Sequence, residues 1–322
     1  MMTSDPNRLS GKTVEESDPR VGDFLSEEKP DIAGAALIGF PSDSGVVRNG
    51  GRPGAAEAPD QIRERLKRLT PHAVHYYRHT HFLKQVFDHG SLYVSGELEK
   101  DQAGLSKVTA EYLDQGVMPV IIGGGHETSY GHFLGYVEAE KEVSIVNIDA
   151  HTDVRPLKEG KPHSGSPFRQ ALEHESFLCK DYSVFGLSPE SVSRDHHLYV
   201  SGKGGELRFH HESDLKSILY HLNSLNTDHI MVTMDMDAIS QSAAPGVSAP
   251  AASGLSPEFW LRLAYRFGQH PKVTSFDICE VNPRHDVDGQ TVRLAALTIW
   301  QFFSAPVSGM PVCNGRHLEG LY

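Results

Sequence analysis

The chain has 322 residues, with 42 Asp and Glu against 30 Lys and Arg, a formal charge of −12 at pH 7 and 39% hydrophobic residues. This is ordinary globular composition in a chain long enough to bury a large core, which excludes collagen-like, disulfide-scaffold and wholly disordered readings. The acidic balance argues against partners that are nucleic acid or anionic membrane, and no run approaches the roughly 20 apolar residues of a membrane span.

Residues 1–33 are polar, rich in Asp, Glu, Ser and Pro, and show no sustained period; they read as a polar N-terminal arm. From Ala35 onward short apolar runs recur, each stopped by a polar or glycine-rich turn. They are AALIGF (35–40), VMPVIIGGG (117–125), VSIVNIDA (143–150), YSVFGLS (182–188), HIMVTMDMDA (229–238) and VTSFDICEV (273–281). Runs this short, rich in Val and Ile and not alternating, suit strands buried on both faces of a parallel sheet. Between them, 58–69, 105–116, 213–225, 256–268 and 291–303 place apolar residues at helical steps. This alternation predicts a single α/β domain over 34–322, doubly wound, with a mostly parallel sheet and helices on both faces. The polar start lacks the pattern of a signal peptide. Cys179, Cys279 and Cys313 match no zinc spacing, so the expected setting is reduced and cytoplasmic. Spacing does not decide whether these thiols are inert or redox-active.

The chemistry gathers at strand ends, where open parallel sheets bind ligands. GGGHETSYGH follows the second run, and its glycines allow a tight exit that brings His126 to the mouth. NIDAHTD ends the third, with Asp149, His151 and Asp153 spaced by two and so on one side of an extended chain. TMDMDAIS ends the fifth; Asp235 and Asp237 share a face while Met234 and Met236 point to the opposite packing. Carboxylates gathered and buried without a counter-charge are costly. Four aspartates bring −4, which two divalent cations would balance. Mixed oxygen and imidazole donors suit Mn²⁺, Co²⁺, Zn²⁺ or Ni²⁺, and two ions about 3.5 Å apart make a hydrolytic centre that ionises water near neutral pH. The residues thus point to a binuclear metallohydrolase.

Together, GGGH, DAHTD and DMDA in this order resemble the ureohydrolase family of arginases, agmatinases, guanidino-acid hydrolases and formimidoylglutamases. The resemblance covers the chain from about Gly39 to its final helix. It implies the doubly wound arginase-like fold, two Mn²⁺ per chain and assembly as a homotrimer or hexamer. It also implies that His126, Asp149, Asp153 and Asp235 hold one metal. Asp149, His151, Asp235 and Asp237 hold the other, with Asp149 and Asp235 bridging. By position, His163 in KPHSGSPFR resembles the proton-shuttle histidine, and Glu280 in DICEVNP resembles the carboxylate that anchors the amidine or guanidine. A leaving amine needs a proton and an amidinium needs a facing carboxylate. The alternatives are an exposed loop histidine for His163, and a salt bridge from Glu280 to Arg284 or Arg293.

The loops 45–63 and 235–254 are similar to those of the formimidoylglutamase subgroup; Ser240 stands where arginases and agmatinases carry a third acid. Pro189 and Ser191 occupy the places of carboxylates that hold an arginase substrate's free α-amino group. N-formimidoyl-L-glutamate has no free ammonium but two carboxylates, so arginines are wanted instead. Arg48, Asn49, Arg52, Arg155 and Arg169 lie in or beside the motif loops and are the substrate-binding candidates. The expected reaction is hydrolysis of this small molecule to L-glutamate and formamide, in histidine degradation. Hydrolysis of a guanidine such as arginine, agmatine or a guanidino acid, with release of urea, and a metal-binding protein without turnover are the alternatives.

Overall fold

The computed structural model describes residues 18–28, 30 and 33–305. The arm read over 1–33 is therefore described only in part, and Cys313 lies outside the described residues. Eight strands are present: β1 (Ala35–Phe40), β2 (Val86–Ser91), β3 (Met118–Gly123), β4 (Val143–Ile148), β5 (Cys179–Leu187), β6 (Glu206–Phe209), β7 (His229–Asp235) and β8 (Val273–Cys279). They form one sheet in the order β2-β1-β3-β8-β7-β4-β5-β6, with every pairing parallel.

The six apolar runs are all strands, and their side chains divide among three core clusters, one of them formed by Ala36, Ile38, Phe40 and Ile121 with Leu105 and Tyr112. Leu37, Ile122, Val146, Met234, Phe276 and Ile278 face the helices Ala58–Lys67, Leu215–Ser224, Pro257–Gln269 and Gln290–Ser304, whose Trp260, Phe267 and Phe302 cover them. Ile145, Tyr182, Val184 and Met231 face the other way, against Phe133 and Phe168 of the helices Thr128–Glu138 and Pro167–Leu172. Local signals fix the helix starts. Ser256 caps Pro257–Gln269 by accepting the Phe259 N–H, with proline in the first turn.

Two strands and several helices escape the hydrophobic pattern. β2 and β6 are the sheet's outer strands; their residues are mostly half-buried and partly polar, so no continuous apolar run marks them. The second helix of the sequence reading begins at Leu98 rather than 105. Its first turn points Asp101 inward, where the carboxylate accepts the Ser95 and Gly96 N–H groups, and that polar residue hides the period. Thr128–Glu138 carries Gly131 and Gly135, poor helix residues that let it lie against Leu105 and Thr109 of its neighbour. Part of the polar arm packs on the body. Val21 is buried, and Ser26 pairs with Phe87 along the outer edge of β2.

Candidate metal centre and substrate cavity

Four neighbouring strands in the middle of the sheet, β3, β8, β7 and β4, converge on the site. His126 stands three residues beyond β3. A Cβ on Gly124 would lie 1.9 Å from the Ser42 carbonyl oxygen, and one on Gly125 would lie 2.4 Å from Val46 Cγ2. The glycines are thus needed for close approach of the 41–54 loop. After β4, Asp149 is held by its chain neighbours: Oδ1 accepts the His151 N–H at 2.7 Å and Oδ2 accepts from the Asn147 side-chain Nδ2 at 2.9 Å. β4 ends at Ile148 and Asp153 has φ 44°, a left-handed conformation, so a turn and not an extended chain brings the DAHTD side chains together. Asp235 closes β7 and accepts the Asp237 N–H at 2.8 Å, while Met234 and Met236 are buried in the opposite core.

His126 Nδ1 lies 2.9 Å from Asp153 Oδ2, 3.0 Å from Asp235 Oδ2 and 3.3 Å from Asp149 Oδ2. A ring nitrogen serves one of them as a hydrogen-bond partner, not three. His151 Nδ1 lies 3.1 Å from Asp237 Oδ2 and 3.5 Å from Asp149 Oδ1. Two groups of donors result, His126/Asp149/Asp153/Asp235 and Asp149/His151/Asp237, each with its atoms within 4.8 Å of one another. Asp149 belongs to both; Asp235 belongs to the first.

The electrostatics are those of a site short of positive charge. Burial disfavours charging His126, but Asp235, Asp149 and Asp153 outweigh it and hold its pKa well above the usual value. His151 follows the same pattern with Asp237 and Asp149. Burial, then Asp237 and Asp149, push Asp235 far up, and burial raises Asp237 despite the pull of His151. For Asp149 the hydrogen bonds from His126 and His151 overcome burial and bring the pKa down. Asp237 Oδ1 is buried without a hydrogen-bond partner among the described residues. Oxygen and imidazole donors, an orphaned carboxylate oxygen and four acids fit two divalent cations.

A cavity of about 200 Å³ opens over this floor, lined also by Glu280, Asn49, Arg155, Ser164 and Ser248. Glu280 follows β8 with φ 67°, another left-handed non-glycine. Its Oε1 accepts the His126 N–H at 2.8 Å and its buried Oε2 has no partner among the described residues. Arg284 pairs with Glu57 and Arg293 with Asp288, so neither neutralises it. Burial and then Glu127 push its pKa well up.

Of the substrate-binding candidates, Asn49 and Arg155 reach the cavity. Arg155 Nη1 donates to Asn49 Oδ1 at 3.3 Å, and Asn49 Nδ2 donates to Ser164 Oγ at 3.1 Å. The other three are engaged elsewhere. Arg48 pairs with Glu99, Arg52 donates to the carbonyls of Val247 and Ser248, and Arg169 donates to the Val154 carbonyl and lies over the Tyr199 ring. His163 does not line the cavity. Its Nε2 is 3.1 Å from the Pro156 carbonyl, its Nδ1 accepts the Gly165 N–H, and burial pushes its pKa down.

Sequence reasoning missed the support behind His126. Nε2 of that ring donates to Thr233 Oγ1 at 2.9 Å, and Thr233 donates to Asp277 Oδ1 at 2.6 Å. Asp277 also receives Ser129 Oγ and sits 2.6 Å from His132 Nδ1, whose hydrogen bond keeps its pKa low against burial. An acid in the middle of the apolar run VTSFDICEV was the available signal.

Fold and site define a class: an α/β enzyme whose pocket floor carries two adjoining groups of side chains able to hold metal ions. The arginase family pattern matches residues 33–304. The formimidoylglutamase of Geobacillus kaustophilus is 40% identical over 273 residues, 81% of each chain. That of Lysinibacillus sphaericus is 36% identical over 292 residues, 87% of each. The crystal structure of Trypanosoma cruzi formiminoglutamase with Mn²⁺ superposes with a TM-score of 0.82 at 32% identity, covering 89% of this chain and 98% of that one. The chain belongs to the arginase family. Among the described residues no helix is long and apolar enough to cross a membrane.

Proposed function

We propose that this enzyme hydrolyses N-formimidoyl-L-glutamate to L-glutamate and formamide. The observation that carries the reading is the pairing of a buried, unneutralised Glu280 with Arg155 in one cavity of about 200 Å³ over the acidic floor. Such a cavity suits a small molecule that is an amidinium at one end and a carboxylate at the other. The names of the relatives support the same substrate.

His126, Asp149, Asp153 and Asp235 would hold one ion, and Asp149, His151 and Asp237 the other, with Asp235 a further candidate to bridge. Two Mn²⁺ would supply Lewis acidity and bring the pKa of water in the cavity towards neutrality. Glu280 Oε2 accepts an amidinium N–H and fixes the formimidoyl group. Arg155, steadied by Asn49, takes a substrate carboxylate at the other end. His163 would supply the proton to the departing nitrogen by turning its Nε2 from the Pro156 carbonyl towards the cavity. The reading carries with it a cytoplasmic enzyme of histidine degradation, working as a homotrimer or hexamer, which light scattering checks.

The deciding experiment loads the protein with Mn²⁺ and offers N-formimidoyl-L-glutamate, L-arginine and agmatine separately. Formamide from the first alone is expected. Urea from either of the others overturns the substrate assignment and leaves the metal centre standing.

A further inference from the structure

We propose that Glu127 is a positioning residue for the substrate: its carboxylate fixes the short helix Ser44–Asn49 against the His126 turn and so sets where Asn49 stands in the cavity. The inference rests on the reading that Asn49 and Arg155 hold the substrate's carboxylate end.

Glu127 follows His126 in sequence but does not line the cavity. It is buried, Oε1 accepts the Gly45 N–H at 2.7 Å, and Oε2 has no partner among the described residues. A buried carboxyl with one oxygen left unpaired is expensive to keep where it is. Its surroundings are shaped to it. A Cβ on Gly45 would fall 2.6 Å from Glu127 Cδ, and its own carbonyl accepts from Gln102 Nε2 at 2.7 Å.

Gly45 is the second residue of a six-residue helix and Asn49 its last. A helix of that length is a rigid rod of about 9 Å, so displacement at Gly45 is carried to Asn49. The far end is gripped as well. Asn49 meets Ser164 and Arg155, while Arg48 is tied to Glu99 on the same long helix, Leu98–Asp114, that supplies Gln102. Glu127 thereby joins the metal-binding turn to the substrate-facing end of the loop.

The test is a double-mutant cycle on the Mn²⁺-loaded enzyme with N-formimidoyl-L-glutamate. Glu127→Leu removes the acceptor and should raise KM about tenfold, the size of one lost charged hydrogen bond, while kcat and bound Mn²⁺ per chain change little. Glu127→Gln keeps an acceptor oxygen and should restore KM. Asn49→Ala should also raise KM, and adding Glu127→Leu to it should raise it little further. Independent, multiplying effects overturn the inference, as does loss of metal or kcat in Glu127→Leu. If that variant fails to fold, Gly45→Ala should raise KM in the same way, and an unchanged KM in folded Gly45→Ala overturns it. Wild-type protein that releases no formamide removes the substrate reading and this inference together; an active wild type with uncoupled variants removes the inference alone.

Discussion

The floor and the rim of the cavity are built differently. The floor stands on strand ends: Asp149 is fixed by two hydrogen bonds, Asp235 by the Asp237 N–H, and both are buried. The rim stands on loops. Arg155 is exposed, and it and Asn49 are steadied by contacts of 3.3 and 3.1 Å between side chains. Charge that must be in place before reaction is held by backbone N–H groups and a buried amide side chain, which spares reorganisation at the moment of chemistry. Groups that choose the substrate are held by other side chains, and loop changes can alter them without disturbing the floor.

The largest effect expected is on the floor. Asp235→Asn should lose metal and activity together, with kcat/KM down roughly a thousandfold, the several kcal/mol an ion supplies to the transition state. Elemental analysis beside kinetics checks it; two tightly bound metals with full turnover would erase the distinction between floor and rim. On the rim, Arg155→Ala should raise KM for N-formimidoyl-L-glutamate about 10–100-fold and leave the metal content unchanged, since a charged hydrogen bond is worth about 1.5–3 kcal/mol. Arg169→Ala, by contrast, should stay within about threefold of wild type, because its guanidinium is engaged on Val154 and Tyr199. Behind the floor, Thr233→Val should weaken metal binding about 10–100-fold, the usual cost of losing a partner behind a ligating histidine. Thr233→Ser should restore it. Isothermal titration with Mn²⁺ reads both.

The smallest effect concerns pH. Asp235, His126 and His151 have folded pKa values above their unfolded ones. Each binds protons more tightly when folded, so metal-free protein loses stability as pH rises, from about 4 for Asp235 and above about 6.5 for the histidines. Asp277, held below its ordinary value, adds the opposite trend below about pH 4. Cations displace protons from the floor and bind better as pH rises. The gain in unfolding temperature on adding Mn²⁺ should therefore widen from pH 5 to 8. A constant gain would mean that the floor carboxylates are ionised without metal.

The floor was legible because motifs on strand ends bring specific side chains to one edge of the sheet. GGGH, DAHTD and DMDA lie far apart in the chain, yet β3, β4 and β7 end at the same place. The manner of convergence was less legible. Asp153 arrives through a left-handed turn, which no alternation rule supplies. On the rim, proximity in sequence to a motif was a poor guide. Arg48 lies one residue from Asn49 but turns to Glu99, because helix neighbours point in different directions. β2 and β6 were hidden by their half-buried polar residues, and Asp277 by the apolar run that surrounds it.

The position of β8 has a consequence for biosynthesis. It enters the sheet between β3 and β7, so it joins β2-β1-β3 to β7-β4-β5-β6. A ribosome delivers residues 273–279 only after the other seven strands have left the tunnel. Until then β3 and β7 each offer an unpaired edge with apolar faces, the kind of surface on which nascent chains aggregate. A chain stopped before β8 would hold two open half-sheets, and it would also lack Glu280. The strand that joins the two halves of the sheet and the carboxylate that completes the cavity lining thus arrive together, and a chain stopped before them lacks both.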